Sequence, residues 1–177
     1  MGWLNQISGL LQQYAGANPA EAPADVDNHF DQVAQTAPKP ALAEGLAEAF
    51  RSDQTPPFPQ MISNLFAHSN GQQRASILNQ LIGAAGPGIL GQLAGGGALG
   101  GLSGLLGGNQ QVNAEAAERV SPEAVQNLAQ HAEQHNPSII DVASNFYAEH
   151  PGLVKTLGGA ALTIAMAKLA QKQFPGR

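Results

Sequence analysis

The sequence lacks cysteine and has few cationic residues, and each shortage excludes classes of function. Without cysteine the chain forms no disulfide, has no thiol nucleophile and offers no thiolate to a metal. Only eight lysine and arginine residues occur among 177, the net charge is −5, and no basic run is present. Such a chain has no surface suited to a phosphate backbone, so we expect no nucleic-acid partner. The absence of cysteine also fits a reducing compartment, which favours a cytoplasmic location.

Aromatic and β-branched residues are also scarce. Aromatic residues make up 5% of the chain, whereas the hydrophobic fraction is 43% and alanine, glycine, leucine and glutamine dominate. This balance is typical of helices rather than of a β-sandwich or barrel. We therefore expect an all-α fold without a sheet.

Prolines and caps divide the chain into helical segments. We expect an amphipathic helix over residues 1–15, a linker over 16–24 and a first helical unit over 25–82. A Gly/Leu-rich segment, residues 83–111, then acts as a connector or a packing element, and residues 112–177 form a second helical unit. Ser121 followed by Pro122 is a strong helix-start signal in this second unit.

The two predicted units resemble each other. Each reads as a helix, a proline, a helix ending near an aromatic residue, a proline and an apolar helix. This order favours an internal duplication, and a coincidence between alanine-rich helices is the alternative. The aligned blocks are 30–37 with 125–132, 47–53 with 143–149, and 59–65 with 151–157.

The N-terminal helix has a continuous apolar face. Trp3, Ile7, Leu10, Leu11 and Tyr14 recur at helical spacing, and the opposite face is polar but uncharged. The helix either packs on its own domain or docks onto a membrane or a sister subunit. Because helices that lie on membranes usually carry lysine or arginine on the polar face, a protein partner is favoured.

The Gly/Leu-rich segment is the most unusual feature. Gly96, Gly100, Gly104 and Gly108 repeat every four residues, and no residue from Ala75 to Ala114 is charged. In a helix this spacing forms a smooth ridge that another backbone can approach closely. Three interpretations stay open, namely a flexible connector, a packed helix pair or self-assembly seam, and a membrane-inserted glycine zipper.

Charge is distributed unevenly along the chain. Residues 1–53 contain seven acids and two bases, whereas four bases and no acid follow Glu149. The basic end either complements an acidic neighbour and its helix dipole or attracts an anionic membrane. The last helix, about 152–174, is apolar on all sides in its middle, which predicts central burial in the fold.

No residue pattern indicates catalysis. His131 and His135 have the i, i+4 spacing of metal ligands, but no third ligand has a diagnostic spacing, so a solvated helix face is the simpler interpretation. Nucleophile-elbow and phosphate-binding motifs are absent. We expect a protein that is not an enzyme and that has no catalytic residues, metal or cofactor.

One stretch resembles a known family. Leucine- and glycine-rich residues 89–107 precede a short polar stretch and then Val120-Ser121-Pro122-Glu123-Ala124-Val125-Gln126-Asn127-Leu128. This order resembles bacterial YidB-like proteins, which are small, helical and without an established activity. The resemblance covers about residues 75–130 and implies a bacterial helical protein, but it carries no functional residues over.

Together these features predict a non-enzymatic helical protein that acts by self-assembly or partner binding, as a homo-oligomer or with another protein. One alternative is a peripheral membrane-associated protein, and another is a small-molecule or lipid carrier with a cleft between the two helical units. The expected assembly residues are Gly96, Gly100, Gly104, Gly108, Trp3, Ile7, Leu10 and Leu11.

Overall fold

The structure is a computed structural model that describes residues 2–86 and 111–173. Its described residues form helices and connecting turns and contain no strand, which confirms the predicted all-α fold. Short 3-10 turns occur at Pro19–Glu21 and Lys155–Leu157. The α-helices are α1 (Gly2–Tyr14), α2 (Val26–Thr36), α3 (Lys39–Arg51), α4 (Phe58–Ala67), α5 (Gly71–Ala85), α6 (Ala114–Glu118), α7 (Pro122–His135), α8 (Ile139–Ala148), α9 (Pro151–Val154) and α10 (Gly159–Gln173).

Side-chain caps fix several helix starts. The Ser121 hydroxyl accepts a hydrogen bond from the Ala124 N–H at 3.2 Å, and Pro122 occupies the first helical position of α7, as the sequence predicts. At α5, Asn70 and Gln73 form a reciprocal capping box with hydrogen bonds of 2.9 and 3.0 Å. Local sequence therefore determines where these helices begin.

The chain forms two compact units. Unit 1 comprises Met1–Pro57 and Ser144–Arg177, and unit 2 comprises Phe58–Ala143. This division differs from the expected grouping of 25–82 and 112–177, because α10 packs on α3 while α7 packs on α4 and α5. Helices α2, α3 and α4 have 11, 13 and 10 residues, against 14, 10 and 4 for α7, α8 and α9. The duplication itself stays a prediction.

Helix α10 is the central helix of unit 1. Leu162, Ala165 and Met166 are fully buried, which confirms the burial predicted from its apolar character on all sides. Helix α3 crosses it at Gly45, where an added Cβ would lie 2.7 Å from the carbonyl oxygen of Ala165. Only a residue without a side chain permits this approach between the two backbones.

Unit 2 is organised around α7, which packs against α4 and α5. Leu65, Leu78 and Leu128, one from each of these helices, are fully buried. The Ser63 hydroxyl on α4 also donates to the carbonyl oxygen of Pro122 at 2.8 Å, at the start of α7. The Gly/Leu-rich segment follows α5 in sequence and precedes α6, and both of these helices belong to unit 2.

Candidate functional site

The residues that flank the Gly/Leu-rich segment are held together by one side chain, Asn79 of α5. Its Nδ2 donates to the carbonyl oxygen of Val112 at 3.0 Å, and its Oδ1 accepts from the Val112 N–H at 2.8 Å. Val112 is buried. The Asn79 amide thus pairs with both backbone polar groups of Val112, as a neighbouring peptide would in a ladder.

On the other flank, α5 ends at Ala85 and its C-cap is Gly86, whose φ of 84° lies in the region that favours glycine. Gly86 lies seven residues beyond Asn79, about 10 Å along a helix axis. Both flanks of the segment therefore belong to unit 2.

Helix α6 then packs against the start of α5. A Cβ added to Gly71 would lie 2.8 Å from Glu118 Oε1 and 3.1 Å from the carbonyl oxygen of Ala114. The Glu118 carboxylate thus lies at the N-terminus of α5, where the helix dipole favours a negative charge. This contact is a second attachment of the returning chain to α5.

The predicted glycine stripe, which consists of Gly96, Gly100, Gly104 and Gly108, lies outside the described residues. Asn79 was not identified from sequence, because nothing distinguishes it there from other polar residues of α5. The one feature that could indicate its role is its position: a short amide side chain, half-buried, between Leu78 and Leu81, which are both fully buried.

The N-terminal helix packs within unit 1, on α10 and α2. Ile7, Leu11 and Tyr14 are buried, while Trp3 and Leu10 are half-buried. Of the four candidate residues on this helix, two are thus fully used in intramolecular packing.

Tyr14 also joins α1 to α2 through a polar contact. Its hydroxyl and His29 Nδ1 form a hydrogen bond of 2.7 Å, and the two rings meet edge to face with centroids 5.8 Å apart. Burial, and then the nearby charge of Asp25, raise the pKa of Tyr14 above its usual value. The phenol therefore stays neutral at physiological pH.

Lysines near the C-terminal end form ion pairs with acids of α2 and α3. The hydrogen bond to Asp31 is the main cause that raises the pKa of Lys155. These contacts confirm that the basic end complements an acidic neighbour. The pairs are Asp31 with Lys155 at 2.8 Å, Glu48 with Lys168 at 3.6 Å, and Glu44 with Lys172.

A shallow open cleft of about 170 Å³ adjoins one of these pairs in unit 1. Its two charged residues are Glu48 and Lys168, which pair with each other, so the cleft has no unpaired charge to bind an ionic ligand. The cleft is lined by Glu48, Ser52, Gln54, Ile164, Ala167, Lys168 and Gln171.

His131 and His135 lie one turn apart on α7. His135 Nδ1 donates to the carbonyl oxygen of His131 at 3.0 Å. Across residues 2–86 and 111–173, no group of three or more histidine, aspartate or glutamate side chains could hold a metal ion.

Within the described ranges, no single helix combines the length and apolar character needed to cross a bilayer. Pro151–Leu157 and Gly159–Lys172 satisfy both criteria only as a pair, and this pair bends by 119° at its break.

No family model, curated protein or solved structure matches this chain. The resemblance to YidB-like proteins therefore stays a prediction from sequence.

Proposed function

We propose that this protein works by assembly, with itself or with another protein, and that the Gly/Leu-rich segment, residues 83–111, is the contacting element. The observation that carries the proposal is the double hydrogen bond between Asn79 and Val112, which holds the returning end of the segment on α5. A long uncharged segment whose two ends are fixed on one unit is suited to presentation to a partner.

The physical reason concerns the cost of glycine. Each glycine disfavours a helix by about 1 kcal/mol relative to alanine, so a glycine-rich helix needs a packing partner to be stable. In a helix, Gly96, Gly100 and Gly104 would form one slowly drifting stripe, because a turn takes 3.6 residues. A second helix could then approach closer than the usual 8–10 Å.

The chemistry of the described side chains supports a non-catalytic role. The lysines of α10 are paired with acids, and Arg74 donates to the carbonyl oxygens of Phe66, Ala67 and Ser69. These polar groups satisfy structural contacts and do not converge with a nucleophile or a base at one point.

Assembly is favoured over the membrane-surface alternative by the same contacts. A helix that binds anionic lipid needs an available apolar face and unpaired cations. Ile7 and Leu11 are buried within unit 1, and Lys168 and Lys172 are paired. We expect no salt-dependent flotation with vesicles that contain anionic lipid.

Substitutions at Gly100 test the proposal. Gly100→Leu should block the close contact and shift the assembled protein toward the monomer in sedimentation velocity, whereas Gly100→Ala should retain most of the assembly. Leucine and alanine both favour helices over glycine, so a difference between them reports steric fit. If both variants sediment and melt like the parent, the segment is not the contacting element.

A further inference from the structure

The tertiary structure within each unit joins the two halves of the chain that flank residues 87–110. In unit 1, α10 packs on α1, α2 and α3, and in unit 2, α6 and α7 pack on α4 and α5. Contacts between helices of the same half, such as α1 with α2 or α4 with α5, are less extensive. The first half, residues 2–86, thus finds most of its packing partners in the second half, residues 111–173.

Specific contacts between the halves occur in both units. In unit 1 the backbones approach closely at Gly45 and Ala165. In unit 2 the Ser63 hydroxyl binds the carbonyl oxygen of Pro122, and Asn79 binds the backbone of Val112. Each contact requires a residue from each half, so neither half completes its core alone.

Ion pairs also join the two halves of the chain. In each of three ion pairs within unit 1, Asp31 with Lys155, Glu48 with Lys168 and Glu44 with Lys172, the acid belongs to the first half and the lysine to the second. These pairs make the acidic faces of α2 and α3 locally complementary to the lysines near the C-terminal end. Complementary charge favours the correct pairing of two surfaces and disfavours pairing of like surfaces.

We propose that two copies of this chain assemble by exchanging halves, so that residues 2–86 of one copy pack with residues 111–173 of the other. Exchange of identical elements reproduces every contact between the halves and creates no new interface that must evolve separately. The 24 residues that join the halves can span at most about 80 Å, so covalent geometry permits the exchange.

This mode of assembly goes beyond the glycine stripe and does not depend on it. Within one chain the connection gives the halves a high effective concentration, so the monomer is favoured in dilute solution. Exchange requires the halves to separate, and it therefore increases with chain concentration during refolding. The partner surface is α3 of one copy against α10 of the other.

Charge reversal in the full-length chain provides the test. One variant carries Glu44→Lys and Glu48→Lys, and a second carries Lys168→Glu and Lys172→Glu. Each variant alone places like charges between α3 and α10. In an exchanged pair of the two variants, both sets of charges are complementary again. The matched control is one chain with all four substitutions, which restores the pairs internally.

The two variants are refolded together and separately at equal total concentration, and the products are measured by sedimentation velocity and native mass spectrometry. We expect a 1:1 species of twice the 18.2 kDa chain mass. Its fraction should exceed the dimer fraction of either variant alone by roughly fourfold or more, because each exchanged 1:1 dimer restores four ion pairs. A mixture that contains only monomers, or dimers in statistical proportions, overturns the proposal.

A crosslinking measurement keeps the test decisive if charge reversal impairs folding. Because the chain has no cysteine, one full-length copy can carry Glu48→Cys and another Lys168→Cys, with a short bis-maleimide as the probe. A crosslinked dimer after joint refolding is expected, including in a Gly100→Leu background, where the proposed glycine contact is removed. A chain with both cysteines is the positive control, and internal crosslinking there without any crosslinked dimer in the mixture contradicts exchange.

Discussion

The crossing of α3 and α10 permits a sharp stability prediction, the effect of Gly45→Ala. Glycine is a poor helix former, so alanine in the middle of α3 should by itself stabilise the helix by about 1 kcal/mol. At this position, however, the new Cβ would lie 2.7 Å from the carbonyl oxygen of Ala165 and 3.3 Å from its carbonyl carbon. Both are backbone atoms, so no side chain can rotate away to relieve the contact.

The magnitude follows from the separation that the helices would need. Ordinary contact with a Cβ begins at 3.4 Å, so α3 must move away from α10 by several tenths of an ångström. Leu42 and Leu46, which are buried on α3, would then lose part of their dispersion contacts. Overpacking of this kind costs about 1–3 kcal/mol, which exceeds the gain in helix propensity. We expect a net loss of about 1 kcal/mol, or a melting temperature lower by roughly 2–4 °C.

The matched control is Gly83→Ala on α5. Gly83 is exposed, and a Cβ added there meets no atom within 4 Å. This variant keeps only the propensity term and should raise the melting temperature by roughly 1–4 °C. Circular dichroism melts of the parent and both variants provide the measurement. Equal stabilisation by the two substitutions would refute the close crossing at Gly45.

Two further predictions concern the polar side chains of Arg74 and Tyr147. Arg74→Ala removes three hydrogen bonds to carbonyl oxygens near the end of α4 and a stacking contact with the Phe66 ring at 5.0 Å. It should lower the free energy of unfolding by about 2–3 kcal/mol in a urea titration, and Arg74→Lys should recover less than half of that loss. Tyr147→Phe should be neutral or stabilising by about 1 kcal/mol, because the buried Tyr147 hydroxyl has no hydrogen-bond partner among the described residues. Burial raises the pKa of Tyr147 far above its usual value of about 10, so this tyrosine ionises first in the unfolded chain. The free energy of unfolding therefore falls as the pH rises above about 10. Urea denaturation of Tyr147→Phe should show less of this alkaline loss, and a pH profile identical to that of the parent would contradict the prediction.

Local features were predictable from sequence. The fold class, the capping of α7 by Ser121 and the burial of α10 follow from composition, capping residues and the uncharged middle of the last helix. Each of these properties depends on residues within a few turns of each other, where helix propensity and capping act.

The candidate site was predictable only in part. The Gly/Leu-rich segment and the apolar face of the first helix stand out as patterns. Asn79 does not, because its role depends on Val112, which lies 33 residues further along the chain. A hydrogen bond between distant segments has no periodic signature in one sequence.

The grouping of helices into units shows why neighbouring segments need not share a core. Proline breaks after α3 invite the interpretation that α3 and α4 belong to one domain, but the compact units divide there, at Pro57 and Phe58. What decides the partner of α3 is steric and electrostatic fit. Because Gly45 has no side chain, the backbone of Ala165 can approach it closely. On the same helix, Glu44 pairs with Lys172 and Glu48 pairs with Lys168.

In the proposed exchange, α3 and α10 would make the same contacts whether the two helices come from one copy of the chain or from two. Backbone approach at Gly45 and ion pairing at Glu44 and Glu48 depend on local geometry alone, and that geometry is identical within one chain and between two. The covalent connection sets only the effective concentration at which the halves meet. Under the proposed exchange, assembly would therefore need no contact surface beyond those that already form between the halves.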